Sequence, residues 1–475
     1  MNEVKASPPL GALKIRGRRS MAFVKGSFVL GSLLAATGVA QAQVAAPADG
    51  SLTMNGVTLY GIVDIGLQYE SHGAPFSDYF PAGSADIVQK NSNSSQTGAT
   101  PSNLSQSRIG LQGVEPLLGD WSGVFKLETF FNPQSGEISD ALKSLAQNNG
   151  RSAATQTTNL DSSIAGQAFQ QAFVGLASPT IGSFTFGRQN TLLADGIAKY
   201  DAQGASQAFA LIGLSGTTAG GGDTQDRRLS DSLKYVGNYS GFHLGALYQF
   251  NQSSGSANSA EQVQVGFEAA GASIDAYYAD VKDAVAASAL SAAQVASLPL
   301  GFSINNSLAG TVSDNKTYGV MGSYLFASNM PKVFIGYEHI EFSNPKTPLE
   351  AGSDDIGGYK LAFVNNAAFP NNKTLQVFWA GAKYTINSNF DLTAAYYGYK
   401  QNSYADGANT GCSTNKAGSC SGTENAFSFV ADYRWTKRFD TYAGIMWSEV
   451  KDGLANGFDF ATSTVDPTIG VRWRF

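Results

Sequence analysis

The feature of this sequence that most constrains its fold is an alternation of apolar and polar residues with a period of two. The last twelve residues, 464–475, show it clearly. One parity is apolar: Val465, Ile469, Val471, Trp473 and Phe475. The other parity is polar: Asp466, Thr468, Arg472 and Arg474. A two-residue period predicts a β-strand, and a strand with one apolar and one fully polar face suits a wall between lipid and water.

Apolar residues are abundant but never collect into a membrane-spanning helix. The chain is 43% hydrophobic and contains 53 glycines, yet no apolar run after residue 42 reaches the length that such a helix needs, about 18 residues. The composition therefore leaves two fold classes, a large all-β protein in water or a β-barrel in a membrane.

Sixteen segments carry the strand pattern, and the connections between them alternate between short and long. The predicted strands are 57–70, 107–114, 121–131, 167–178, 183–189, 231–238, 242–251, 261–269, 272–281, 315–326, 332–342, 373–385, 389–401, 425–435, 439–449 and 464–475. An even strand count with short turns on one side and long loops on the other is typical of an outer-membrane barrel. Pairing of the last strand with the first would leave no open edge. One connecting segment, 284–297, is alanine-rich and predicts a short helix in a loop.

The amino-terminal residues 1–42 have the organisation of a secretory signal peptide. A short apolar stretch, 28–36, follows the basic residues Arg16, Arg18, Arg19 and Lys25, and small residues lead to Ala40-Gln41-Ala42. We therefore expect cleavage after Ala42 and a mature barrel domain, 43–475. Met21 could equally be the start, since 21–42 alone makes a complete signal.

Charge and histidine content exclude other function classes. The formal net charge is −6, and residues 1–42 hold six Lys/Arg and one Glu, so their removal makes the chain more acidic by five charges. An acidic chain disfavours a nucleic-acid partner. The three histidines, His72, His243 and His339, belong to no recognisable serine or metal motif, so we expect neither an enzyme nor a bound metal or cofactor.

The two cysteines, Cys412 and Cys420, lie in a Gly/Ser/Thr/Asn-rich segment. In an exported protein this pattern predicts one disulfide that closes a loop. A metal or redox pair is the alternative, although no histidine lies near and the spacing is not Cys-x-x-Cys.

Several short motifs, in order, resemble those of trimeric Gram-negative porins of the beta-proteobacterial type. They are 57–64 (VTLYGIVD), 107–115 (SRIGLQGVE), 173–176 (FVGL), 182–189 (GSFTFGRQ), 231–235 (DSLKY) and the terminal Phe475. The resemblance spans almost the whole mature chain. It implies a 16-stranded antiparallel transmembrane β-barrel in the outer membrane, a homotrimer, and a third long loop that folds inward and narrows the pore.

The resemblance also implies the residues of the constriction. The inward loop corresponds to 190–230, which contains four candidate acidic residues: Asp195, Asp201, Asp223 and Asp226. On the facing wall, Arg108 and Arg188 match family arginines, and Arg227 or Arg228 matches a third. The family's acidic Pro-Glu-Phe-Gly-Gly loop motif is missing. Acidic and basic groups facing each other set up a field that favours ionic and dipolar solutes.

Strand parity supports an inward Arg108 because Ile109 and Leu111 have the opposite phase. Strict alternation puts Arg188 on the same face as Phe184 and Phe186. Either Gly187 marks a bulge that reverses the phase, or those phenylalanines face the lumen or a packed loop.

These observations predict a water-filled channel for passive diffusion of small hydrophilic solutes and ions, surrounded by outer-membrane lipid. A solute-specific channel is one alternative. A non-conducting surface or adhesion barrel, whose long loops bind a partner, is another. Net acidity favours cations and the wall arginines favour anions, so the sequence leaves the ion preference open.

Overall fold

A computed structural model describes residues 52–72, 95–136, 138, 145–152, 168–212, 228–250, 259–326, 330–353, 358–405, 417–456 and 461–475. Its main feature is a set of sixteen long strands. They are β1 (Val57–Glu70), β2 (Arg108–Pro116), β3 (Ser122–Phe130), β4 (Gln171–Ser178), β5 (Gly182–Asn190), β6 (Arg228–Tyr239), β7 (Phe242–Gln249), β8 (Ser259–Ala269), β9 (Ala272–Ser288), β10 (Ser307–Leu325), β11 (Lys332–Ser343), β12 (Lys373–Asn387), β13 (Phe390–Gln401), β14 (Gly422–Arg434), β15 (Phe439–Asp452) and β16 (Ser463–Arg474).

The sixteen strands close into an antiparallel barrel. Each strand pairs with the next in sequence, and β16 returns to pair with β1, with Thr468 opposite Gln68 and Arg474 opposite Ile62. Closure gives every edge strand a partner, which a sheet in hydrocarbon requires. The predicted strand count, order and closure are therefore confirmed.

Apolar side chains lie on the outside of the barrel and polar side chains on the inside, the reverse of the arrangement in a soluble protein. On β16 the apolar Ile469 and Trp473 are 59% and 50% exposed, whereas the polar Asp466 and Arg472 are 0% and 7% exposed. The same reversal recurs around the sheet, with exposed Val174, Val265 and Ile335 on other strands. An apolar surface of this extent is unfavourable in water, and it fits a surrounding lipid phase.

Strand ends are where the sequence prediction and the structure differ most. The helix predicted over 284–297 is wrong for its first part, because β9 continues to Ser288 and pairs with an equally extended β10. A five-residue helix, Ala292–Ala296, follows it. Three short strands join the sheet: Leu52–Met54, Gln96–Pro101 and Lys360–Asn365.

The helix α1 (Leu192–Tyr200) follows β5 within the loop 190–230. Its buried residues belong to an apolar cluster that includes inward side chains of β12 and β13. We call Trp379, Tyr397 and Tyr399 the aromatic sector of the inner face; each is at most 1% exposed. The buried residues of α1 therefore pack with apolar side chains of β12 and β13.

Among the described residues, no helix has the length and hydrophobicity to cross a bilayer. The predicted signal peptide and its cleavage site lie outside the described residues and remain predictions.

Candidate functional site in the barrel interior

The loop after β5 begins with a well-capped helix. The Oγ1 atom of Thr191 accepts a hydrogen bond from the backbone N–H of Ala194 at 3.1 Å, which satisfies one of the free donors at the start of α1. The N–H of Leu192 donates to Oε1 of Gln262 on β8 at 2.9 Å. The first turn of α1 is thus tied to the barrel wall.

The end of α1 is held by Asp275, a buried carboxylate on β9. Its Oδ2 lies 3.1 Å from Nζ of Lys199 and accepts from the hydroxyl of Tyr200. Its Oδ1 lies 2.9 Å from Nδ1 of His243 on β7. Burial, together with the hydrogen bond to Asp275, raises the pKa of the Tyr200 hydroxyl, so this hydroxyl acts as a donor. The helix is therefore anchored at both ends.

Beyond α1, the chain binds to the aromatic sector. The indole Nε1 of Trp379 donates to the carbonyl oxygen of Tyr200 at 2.9 Å. The hydroxyl of Tyr397 donates to Oδ1 of Asp201 at 2.7 Å, and that of Tyr399 donates to the carbonyl oxygen of Leu211 at 2.6 Å. These three bonds fix 200–211 against β12 and β13.

The backbone of β12 lies close to Ala202 at Gly381. A Cβ added at Gly381 on β12 would lie 2.5 Å from the Cβ of Ala202. Glycine is required there because any side chain would push the loop away from the wall.

The far end of this segment reaches the opposite part of the wall. The N–H of Ala208 donates to the carbonyl oxygen of Asn103 at 2.9 Å, and the rings of Phe209 and Tyr442 are 6.4 Å apart. Tyr442 belongs to β15. We call Thr191–Ile212 the loop segment; its contacts run from β6 to β15.

A cluster of basic groups lies on β2, β3 and β6. The carboxylate of Glu128 is 1% exposed; its Oε2 lies 3.9 Å from Nε of Arg108 and 3.6 Å from Nζ of Lys126. The guanidinium of Arg228 lies 4.5 Å from the centre of the Phe130 ring. Arg228 also acts electrostatically on Glu128, so all four charges are close together.

A second ion pair lies next to this cluster. Nζ of Lys234 on β6 pairs with Oδ2 of Asp195 in the first turn of α1, and it donates to the carbonyl oxygen of Asn190 at 3.0 Å. We call Arg108, Lys126, Arg228 and Lys234 the basic patch. It contains four basic groups against the two carboxylates Glu128 and Asp195.

A third charged group, which we call the balanced cluster, lies on β12 to β16. Arg472 pairs with Asp440 at 3.1 Å and with Asp432 at 3.3 Å, and Arg474 pairs with Asp440 at 2.6 Å. On β13, Asp391 pairs with Arg434 and with Lys383. Four basic groups pair with three carboxylates here, so the excess of positive charge is one.

The residues that the sequence predicts for the constriction make different kinds of contact in the structure. The inward phase of Arg108 agrees with its contact to Glu128. Arg228 is buried on Phe130. Asp195 faces the basic patch, whereas Asp201 is 3% exposed and its carboxylate accepts from Tyr397 and from the N–H of Ala205, so it anchors the loop.

Arg188 lies at an irregularity of the sheet. The register of β5 against β6 shifts between Gly187 and Gln189, and Gly187 has a φ of +130°. The hypothesis of a bulge at Gly187 is therefore correct. Phe184 and Phe186 are exposed on the outer face, and NH1 of Arg188 donates to Oγ of Ser230 at 3.0 Å.

Several predicted residues cannot be placed. Asp223, Asp226, Arg227 and Cys412 lie outside the described residues. Cys420 is buried and disulfide-bonded, and the predicted pairing with Cys412 remains a prediction. Within the described ranges, no three His, Cys, Asp or Glu side chains are arranged to hold a metal.

Sequence reasoning missed Lys126, Glu128 and Lys234. The signal was present, because Lys126 and Glu128 share a parity opposite to the exposed Leu127. Their inward phase could have been read in the same way as that of Arg108.

A closed sixteen-stranded barrel with an apolar exterior and a charged interior invites comparison with known channels. The profile of the Gram-negative porin family matches residues 29–453. The chain belongs to the Gram-negative porin family. An outer membrane porin of Bordetella pertussis is 31% identical over 210 residues, which is 44% of this chain and 46% of that protein. The match thus spans about half the length of that relative.

Solved structures share the fold of this porin. An anion-selective porin from Comamonas acidovorans has a TM-score of 0.56 at 17% identity, covering 88% of this chain and 99% of that chain. OmpT, an outer membrane protein of Vibrio cholerae, has a TM-score of 0.54 at 15% identity, covering 90% and 100%. A trimer form of OmpT scores 0.53 at 14% identity, covering 88% and 99%. The predicted outer-membrane porin barrel is confirmed by family and fold.

Proposed function

We propose that this porin forms a water-filled channel through which small hydrophilic solutes and ions diffuse passively across the outer membrane. The observation that carries the proposal is the reversal of its two faces: apolar residues such as Ile469 and Trp473 are outside, and charged residues such as Asp440 and Arg472 are inside. Charged groups facing inward across a closed wall suit an aqueous path and not a packed core.

We further propose that the loop segment Thr191–Ile212 folds into the barrel and narrows this path. Its bonds to Gln262, Trp379 and Tyr397 support this, because all three side chains are buried on the inner face. Contacts from β6 to β15 leave β2 and β3, which carry Arg108 and Lys126, as the wall beside the open path. Asp195 then belongs to the constriction, and Asp201 supports the loop.

The charge of this path favours anions. Four basic groups face two carboxylates in the basic patch, an excess of two, whereas the excess in the balanced cluster is one. At about 8 Å and an effective dielectric of 20 to 80, each unbalanced charge contributes roughly 0.5–2 kcal/mol to a passing ion. The result is a preference of a few fold. The Comamonas relative is anion-selective by name, which agrees with this direction.

We propose a homotrimer in outer-membrane lipid as the working state. Support comes from the trimer form of the Vibrio protein, whose fold this chain shares.

Reconstitution into planar lipid bilayers tests the function directly. We expect stepwise conductance in groups of three and, in a KCl gradient, a reversal potential displaced toward that of chloride. A correctly folded preparation that gives no channels would contradict the proposal and would favour a non-conducting surface barrel. Conductance that saturates with one solute would favour the solute-specific alternative.

A further inference from the structure

Two carboxylates face each other across the seam where the barrel closes. Thr468 of β16 is opposite Gln68 of β1, and the N–H of Ser71 donates to the carbonyl oxygen of Val465 at 3.2 Å. This register places Asp466 opposite Glu70, and directly opposed residues have Cβ atoms about 5 Å apart. The charge of Asp466 acts on Glu70.

Both carboxylates are buried, and neither has a cationic partner among the described residues. Glu70 is 1% exposed and Asp466 is 0% exposed. In the part of the chain that the structure describes, neither oxygen of Glu70 has a hydrogen-bond partner, nor does Oδ2 of Asp466. Oδ1 of Asp466 accepts from the hydroxyl of Thr464 at 2.6 Å. At these facing positions of β1 and β16, three carboxylate oxygens therefore have no hydrogen-bond partner among the described residues of this region.

A third side chain points to the same region. Thr468 follows Asp466 on the inner face of β16 and is 3% exposed. Its Oγ1 also has no hydrogen-bond partner among the described residues. It adds a neutral oxygen to the two carboxylates, on the same pair of strands.

A neighbouring buried carboxylate is compensated. Asp440, on the neighbouring strand β15, is 0% exposed and pairs with Arg472 and Arg474. An unpaired buried carboxylate is strongly unfavourable, and two adjacent ones repel each other as well. Such groups persist when an ion or water satisfies them.

We propose that Glu70, Asp466 and Thr468 bind a calcium ion. Oxygen ligands from carboxylates and neutral groups, completed by water, match the coordination that Ca²⁺ accepts, and its flexible geometry suits a site on two strands. With two carboxylates, the dissociation constant falls in the range of weak sites, about 10⁻⁴–10⁻³ M. The site lies at the long-loop ends of β1 and β16, which face the cell exterior in such barrels. The ion links the first strand to the last.

Calorimetric titration of the full-length folded protein with CaCl2, after treatment with EDTA, tests the site at pH 7.5. We expect one Ca²⁺ per chain and a higher thermal unfolding midpoint with calcium than with EDTA. Glu70→Gln and Asp466→Asn each preserve side-chain shape and remove one charge, and we expect each to weaken binding at least tenfold. MgCl2 should bind more weakly than CaCl2, because Mg²⁺ demands a regular octahedron.

Glu449→Gln is the matched control. Glu449 lies on β15 at the same rim and pairs with Lys451 at 2.8 Å, so removal of its charge should leave calcium binding unchanged. Absence of calcium binding by the wild-type protein would overturn the proposal, a result that holds even if a variant fails to fold. Equal binding by wild type and both seam variants would overturn it too. A carboxylate pair that shares a proton predicts stabilisation by Glu70→Gln with no calcium response in any variant.

Discussion

The basic patch and the aromatic sector lie on the same inner wall, yet they differ in charge and in burial. The patch contains Arg108, Lys126, Arg228 and Lys234, and its charges are only partly compensated. The aromatic sector contains Trp379, Tyr397 and Tyr399, which are buried and bonded to the loop segment. The aromatic sector fixes the loop segment, and the basic patch carries an excess of positive charge. The comparison shows that the inner face of this barrel provides two environments, one charged and one apolar.

The largest expected effect is the loss of the aromatic anchor. Trp379→Ala removes a fully buried ring and the bond to the carbonyl oxygen of Tyr200, so we expect a loss of about 3–5 kcal/mol in unfolding free energy. Single-channel conductance should rise as the loop segment loosens. Urea unfolding in detergent and bilayer recordings measure both. Trp447→Ala, on the outer face of β15, is the control; equal effects would show that the aromatic sector has no special role.

The next effect concerns the bond that holds Asp201. Tyr397→Phe removes the hydroxyl that donates to Asp201 and leaves the ring in place. Because the acceptor is a charged group, we expect a cost of about 1.5–3 kcal/mol. Tyr337→Phe, an outward-facing tyrosine on β11, should cost much less. Urea unfolding of both variants gives the comparison, and an unchanged Tyr397→Phe variant would argue against a loop fixed at Asp201.

A smaller effect is expected in the basic patch, where stability should change little and selectivity should change. Lys126→Gln removes one positive charge near the path, so the permeability ratio of chloride to potassium should fall by about two- to fivefold, equivalent to roughly 0.5–1 kcal/mol. Arg108→Gln should act in the same direction. Reversal potentials in a KCl gradient measure it. Lys437→Gln removes the same charge in the turn between β14 and β15 and should have no effect; a matching shift there would place the selectivity outside the patch.

The smallest effect lies outside both regions, in the short turns. The hydroxyls of Thr180 and Ser178 donate to the carboxylate of Asp120, and they hold its pKa below the usual range. The folded state therefore gains stability above the ordinary pKa of about 3.9, and this gain is lost as the pH falls through the lowered value. Thermal unfolding of Asp120→Ala should lie slightly below wild type at pH 6 and converge with it near pH 2. A constant difference across that range would contradict this assignment.

Local periodicity made most of the wall predictable. The parity of 464–475 identifies the faces of β16 correctly, and the same rule finds Arg108. It gives a misleading picture of β12, where the inward Leu375, Val377 and Trp379 are all apolar. Apolar residues on both faces of a strand indicate that other groups cover both of its faces. That signal was readable, but it does not say what covers the strand.

The end of β9 was not predicted correctly from the sequence and the orientation of Arg188 was left open, and both depend on pairing between strands. Residues 284–288 have helical propensity by composition, but β9 extends through them because β10 offers a paired edge from Ser307 onward. Tertiary pairing overrides weak propensity. Arg188 could not be oriented for a related reason, since the bulge at Gly187 changes the phase and only the register of β5 against β6 reveals it.

The sequence by itself determined the sixteen strands, their order and the apolar outer face of β16, because these depend on neighbours within a few residues. Only the tertiary structure decided where the loop segment is anchored, that Asp201 supports the loop, and that Glu70 and Asp466 meet at the seam. The Tyr397–Asp201 bond joins positions 196 residues apart in sequence. Such contacts depend on barrel closure and strand register, which set distances that no local pattern contains.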